Sequence, residues 1–217
     1  MRKPSLQDYR LYCVTDPRLN KGYTVLEQVE FALQGGVKMI QIREKDVTLT
    51  EYIALASEAL KITRSHDAFL IINDAVEVVK AVGADGLHLG QEDMPLKEAR
   101  STLGNDVIIG VSVKTMEETK QAEADGADYV AVNGVFPTST KEDLGYCPGL
   151  EGVNLIRQCT RLPLIGIGGI NLHNCCSVVE AGADGVAVVT AITMSDNIPV
   201  TCESFFAIMK DKQWKHT

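Results

Sequence analysis

The sequence predicts an α/β fold, a (βα)8 or TIM barrel formed as a single domain over residues 1–217. Three observations carry that prediction. Short β-branched runs alternate with longer stretches of helical periodicity, eight strands each followed by a helix, and such alternation builds a parallel sheet. A similar phrase introduces every second strand: GGVKMIQIR from 35, VGADGLHLG from 82, DGADYVAVN from 125 and AGADGVAVV from 181. Even-numbered recurrence suits a closed eightfold sheet better than an open doubly wound one. Finally, 217 residues without a linker, low-complexity tract or composition shift fit around one hydrophobic core.

Taken in order, the strands are expected at 11–14 (LYCV), 37–42 (VKMIQI), 69–72 (FLII) and 85–89 (DGLHL). They continue at 107–112 (VIIGVS), 128–132 (DYVAV), 163–167 (PLIGI) and 185–189 (GVAVV). Between them, segments such as 50–65 and 115–124 repeat apolar residues at helical spacing. The glycine of the recurring phrase is expected to end each helix in a left-handed conformation, with the small residue after it easing the turn into the strand.

Hydrophobic residues make up 45% of the chain and charged ones 23%, an ordinary soluble composition. No apolar run approaches the roughly 18 residues of a membrane helix. The opening MRKPSLQDYR has no apolar core behind its basic residues and does not read as a signal peptide. A cytoplasmic protein without membrane contact is the expectation. Six cysteines (13, 147, 159, 175, 176, 202) form no CxxC pair and read as reduced thiols, mostly buried. A net charge of −8 argues against a nucleic-acid partner, which calls for a basic footprint. Anionic ligands would therefore need positive charge gathered locally.

In this fold the active site forms from the loops after the strands. Gln41-Ile42-Arg43-Glu44-Lys45 follows the second strand, and alternation sets Gln41, Arg43 and Lys45 on the lumen side. Two cations there need an anion, either a ligand or a structural carboxylate. The third strand ends in Asn73-Asp74, and the fourth runs through His88 to Gly90-Gln91-Glu92-Asp93. Two carboxylates on neighbouring strand ends suit Mg2+, which takes few protein oxygens and completes its shell with water and substrate phosphates. Helix capping competes as an explanation for both aspartates, most seriously for Asp93 ahead of Pro95. A lumen histidine such as His88 is as readily structural as functional. Ser112 ends the fifth strand. The sixth leads into Phe136-Pro137-Thr138-Ser139-Thr140-Lys141, hydroxyls closed by a cation, which suits phosphate or a solvated turn. Gly168-Gly169 after the seventh strand and Val189-Thr190 after the eighth match the usual barrel phosphate site. Two anion sites in one mouth suggest transfer between two phosphorylated small molecules.

In combination, these residues resemble the thiamine phosphate synthase family. The resemblance covers almost the whole chain, with QIREK at 41, IND at 72, GADGLHLGQED at 83, GVS at 110, FPTSTK at 136, GIGGI at 166 and GVAVVTAI at 185, all in order. It implies a transferase that couples a pyrimidine diphosphate to a thiazole phosphate. Gln41, Arg43, Lys45, Asn73, Ser112 and Lys141 would hold the diphosphate, with His88 at a further active-site position. Mg2+ would rest on Asp74 and Asp93. Thr138, Ser139, Thr140, Gly169, Val189 and Thr190 would receive the thiazole phosphate. Arg43, Lys45 and Lys141 would stabilise the leaving pyrophosphate. Against the family pattern, Asn133 and Val135 replace a usual Gly and Pro, and Thr190 replaces a usual Ser. The thiazole pocket is accordingly less fixed than the diphosphate site. The related thiazole tautomerase has no use for Gln41, Arg43, Lys45, Asp74 and Asp93. A non-catalytic phosphate-binding regulator has no use for the aspartate pair. Oligomeric state is left open.

Overall fold

A computed structural model describes residues 2–138 and 146–210. Eight parallel strands close into a barrel in chain order: β1 (Leu11–Val14), β2 (Met39–Ile42), β3 (Phe69–Asn73), β4 (Gly86–Leu89), β5 (Ile108–Val113), β6 (Tyr129–Asn133), β7 (Leu164–Ile167) and β8 (Gly185–Val188). Each lies within two residues of its expected position. The helices are α1 (Val25–Gln34), α2 (Leu49–Ser65), α3 (Val76–Val82), α4 (Leu96–Leu103), α5 (Met116–Ala124), α6 (Gly149–Cys159) and α7 (Cys175–Glu180). After β8 the chain adds a one-turn helix, α8 (Thr190–Thr193), before the closing α9 (Ile198–Met209). Both long early helices start with a capping box, Thr24 with Glu27 and Thr48 with Glu51, so their first turns satisfy their own amides.

Strand alternation splits the apolar residues into two cores. Outward residues such as Ile40, Leu70, Ile109, Val130 and Val186 pack under the helices. Inward residues fill the lumen, among them Tyr9, Tyr12, Met39, Phe69, Ile71, Ile108, Tyr129 and Ile165. The lumen is a packed core and not a pore. Gly110 is the reason that so large a ring as Tyr129 fits there. A Cβ on Gly110 would lie 1.9 Å from the Tyr129 ring, so the missing side chain on β5 is the space the tyrosine occupies.

The recurring phrase has two physical parts. Its glycines, Gly36, Gly83, Gly126 and Gly182, all have positive φ (90°, 68°, 90° and 115°), as the left-handed helix exit requires. Its aspartates do something the sequence reading left unexplained. Asp85 accepts the Leu70 N–H at 2.9 Å, Asp128 the Ile109 N–H at 2.8 Å and Asp184 the Leu164 N–H at 2.8 Å. Each ties the start of an even strand to the preceding odd strand. Two are reinforced by guanidinium groups: Arg100 reaches Asp128 at 2.6 Å and Arg157 reaches Asp184 at 2.9 Å. These clamps lie at the N-terminal ends of the strands, opposite the mouth.

All six cysteines are free thiols, with Cys13, Cys175 and Cys202 buried. Among the described residues, no helix is long and apolar enough to cross a membrane.

Candidate active site at the C-terminal mouth of the barrel

The closed sheet brings the ends of β2, β3, β4 and β5 side by side, and with them the side chains expected to meet a diphosphate. Register pairs Gln41 with Ile71, Asn73 with His88 and His88 with Gly110. Gln41 is 4% exposed and His88 7%, so both stand deep in the lumen. Ser112, on the same inward face of β5, lies with Oγ 3.0 Å from His88 Nε2. Gln91, in the loop after β4, donates to the Ser112 carbonyl at 2.6 Å and joins the fourth and fifth strand ends.

Arg43 and Lys45 follow β2, which ends at Ile42. Arg43 stays at the rim with its side chain 21% exposed. Lys45 is past the strand, where alternation no longer dictates direction, and is exposed to solvent and not enclosed in the lumen. A structural carboxylate does accompany Arg43: Asp16, buried at the end of β1, has Oδ2 3.8 Å from its guanidinium. That distance exceeds a hydrogen bond. The other oxygen, Asp16 Oδ1, accepts the Arg18 and Leu19 amides at 2.8 and 2.9 Å. Asp16 thus orients Arg43 without consuming it. Sequence reasoning missed it; Asp16 stands just beyond the first strand, the strand end whose polar residues it did not weigh.

The aspartates converge. Asp74 follows β3 with φ +54°, a left-handed conformation that aspartate tolerates better than most side chains. Its amide donates to the His88 carbonyl at 2.9 Å, fixing it beside β4. Burial and the neighbouring Asp93 carboxylate raise the Asp74 carboxyl above its usual range, while Lys45 and Arg43 pull it down. One carboxylate therefore feels the other aspartate and both cations. Capping does not account for either residue. Helix α3 is capped by Ala75 and α4 by Pro95, neither with a side-chain bond. Asp93 Oδ2 instead accepts the Gly90 N–H at 2.6 Å, and Asp74 Oδ2 accepts from Asn73 Nδ2 at 2.7 Å. Each keeps Oδ1 without a hydrogen bond among the described residues. Two hard carboxylate oxygens left without a hydrogen bond among the described residues match the donor chemistry of Mg2+. Among the described residues, no group of three or more His, Cys, Asp or Glu side chains is placed to hold a metal ion.

Across the mouth, Gly168 and Gly169 have φ of +109° and +62°. A Cβ on Gly169 would lie 2.6 Å from the Pro137 carbonyl, so the β7 loop touches the β6 loop directly. Phe136 N–H donates to the Gly168 carbonyl at 3.0 Å, and Gly134 and Val135 N–H both reach the Ile167 carbonyl. With Asn133 and Val135 in place, the loop keeps its tie to β7: Asn133 ends β6 and Val135 is buried. Thr190 opens α8, as the short extra helix of a barrel phosphate site would. Val189 precedes it as the N-cap residue, and Thr138 ends the described part of the β6 loop. Ser139, Thr140 and Lys141 lie outside the described residues.

The comparisons with known proteins agree with one another. The family model described as thiamine monophosphate synthase matches residues 11–192. A thiamine-phosphate synthase of Moorella thermoacetica is 45% identical over 187 residues, covering 86% of this chain and 89% of that protein. One from Clostridium acetobutylicum is 40% identical over 208 residues, covering 96% and 98%. Among solved structures, a thiamine phosphate pyrophosphorylase from Pyrococcus furiosus superposes with a TM-score of 0.86 at 36% identity, covering 95% and 98%. With a closed barrel that carries paired aspartates and a glycine loop at its mouth, the chain belongs to the thiamine monophosphate synthase family, and it is a transferase.

Proposed function

We propose that this single-domain, cytoplasmic enzyme couples 4-amino-2-methyl-5-(diphosphooxymethyl)pyrimidine to 4-methyl-5-(2-phosphooxyethyl)thiazole, giving thiamine phosphate and pyrophosphate. The observation that carries the reading is the meeting of strand ends: Asp74 is tied to β4 through the His88 carbonyl, Asp93 folds back onto Gly90 at the end of that strand, and Arg43 stands at the rim after β2. An acidic chain that gathers cations around paired carboxylates at one rim is arranged for a polyanion with a divalent ion. The glycine loop opposite supports a second, singly phosphorylated ligand.

Arg43 and Lys45 hold the diphosphate from the β2 side, with Asn73 and Ser112 completing the grip from β3 and β5. Lys141, which lies outside the described residues, is assigned to the diphosphate by the family resemblance alone. Gln41 and His88 line the deeper part, where the pyrimidine ring fits. Gly169, Val189 and Thr190, with Thr138, Ser139 and Thr140, receive the thiazole phosphate. Asp74 and Asp93 would hold Mg2+, which when bound adds positive charge against the departing pyrophosphate. The carbon–oxygen bond to pyrophosphate breaks and its electron pair leaves with the oxygen. The aminopyrimidine ring stabilises the methylene cation, and the thiazole nitrogen supplies the pair that forms the new bond. The chain's residues position the partners and neutralise charge. No protein nucleophile enters. Burial keeps the Cys13, Cys175 and Cys202 thiols protonated, pushing Cys175 to about 11 and Cys202 to about 12.

A pyrophosphate-release assay tests the reading. Release should require both substrates and Mg2+. Asp74→Ala should abolish release while thiazole phosphate still binds. Loss of both together contradicts two separate sites, and no release from the unaltered protein contradicts the activity.

A further inference from the structure

Beneath the mouth, four hydrogen bonds form one line across the lumen. Gln41 Nε2 donates to Tyr12 Oη at 2.9 Å, and Tyr12 Oη lies 2.9 Å from Tyr129 Oη. Tyr129 Oη lies 2.9 Å from His88 Nδ1, and His88 Nε2 lies 3.0 Å from Ser112 Oγ. Tyr12 and Tyr129 are 1% and 0% exposed, and burial raises both phenols far above their ordinary range. Each therefore carries one proton and can donate one hydrogen bond.

That count fixes a direction. Tyr12 accepts from Gln41, so its own proton goes to Tyr129, its other partner among the described residues. Tyr129 accepts from Tyr12 and gives its proton to His88 Nδ1. The imidazole proton then sits on Nε2 and is donated to Ser112 Oγ. Ser112 is left with its hydroxyl proton to offer to the mouth, and Gln41 with Oε1. In the opposite direction Gln41 would show an NH2 group and Ser112 would spend its proton on His88, presenting lone pairs instead.

We propose that Tyr12 and Tyr129 are positioning residues that lock His88 as its Nε2–H tautomer, making the mouth an acceptor at Gln41 and a donor at Ser112. This inference rests on the proposed function for its purpose. An aminopyrimidine diphosphate carries N–H donors at the ring and only acceptors at its phosphates, which is the complementary polarity. The reversed line would set a donor against the amino group and lone pairs against phosphate oxygens, repelling at both ends.

The tautomer can be read without substrate, by 15N NMR of histidine-labelled protein with the His88 signals assigned. The unaltered protein should show His88 protonated at Nε2, with Nδ1 as acceptor. Protonation at Nδ1 overturns the proposal. Tyr129→Phe keeps the ring and cuts the line. It should lose the single tautomer and raise KM for the pyrimidine diphosphate about tenfold, the effect of one hydrogen bond to a charged group. Its kcat should stay within about twofold, as for binding shared by ground and transition states. An unchanged KM, or a fall in kcat alone from loosened packing, overturns the positioning role. Should this variant fail to fold, the spectrum of the unaltered protein still decides. Failure of the activity reading shows separately, as absent pyrophosphate release from a protein whose tautomer is as stated.

Discussion

Gly169 occupies the point where two mouth loops meet, with positive φ and the Pro137 carbonyl where a side chain would begin. Gly169→Ala should strain the backbone and push the β6 loop aside. KM for thiazole phosphate is expected to rise at least about tenfold, the loss of one good anion contact. KM for the pyrimidine diphosphate should hardly change; equal rises in both would mean that the loops are not divided between the ligands. Residue types at strand ends were legible in the sequence because barrel geometry decides where such residues go. Gln41, Asn73, Asp74, His88, Asp93 and Ser112 gather at one rim for that reason. Tyr12, Tyr129 and Asp16 were not legible. Their roles depend on which side chain stands across the lumen, and the pairing of Tyr129 with Gly110, or Asp16 with Arg43, leaves no periodic mark.

The strands and long helices were readable because they carry signals of their own, an apolar run or a helical repeat, and α1, α3, α5 and α7 run into a glycine of the recurring phrase. The recurring phrase located four strands, and its glycines adopt the expected conformation. Its aspartate proved the more informative letter. Asp85, Asp128 and Asp184 accept a backbone amide from the preceding strand, so the phrase records how pairs of strands are fastened. Asp184 is the strongest case, since Arg157 and the Leu164 amide both depend on it and the pair is buried, 10% and 5% exposed. Asp184→Ala should cost about 3 kcal/mol by stranding a buried guanidinium. Urea unfolding checks this, and a loss below about 1 kcal/mol, the worth of an exposed pair, would show that the clamp carries little. Activity per folded molecule should be kept, because the clamp lies at the far end from the mouth.

At the scale of the whole molecule, the aspartate clamps and the proposed site occupy opposite ends, and the tyrosine-filled lumen separates them. That filling has a consequence for traffic. The barrel is a vessel with a filled base, so whatever occupies the Gln41 and Ser112 level enters by the one mouth that the Gly169 and Thr190 loops also border. Thiazole phosphate arriving first obstructs that passage. Initial rates should therefore fall when thiazole phosphate is in large excess, and recover as the pyrimidine diphosphate is raised. The converse excess should not inhibit, because the pyrimidine diphosphate would occupy the β2 to β5 side of the mouth and leave the Gly169 and Thr190 loops free.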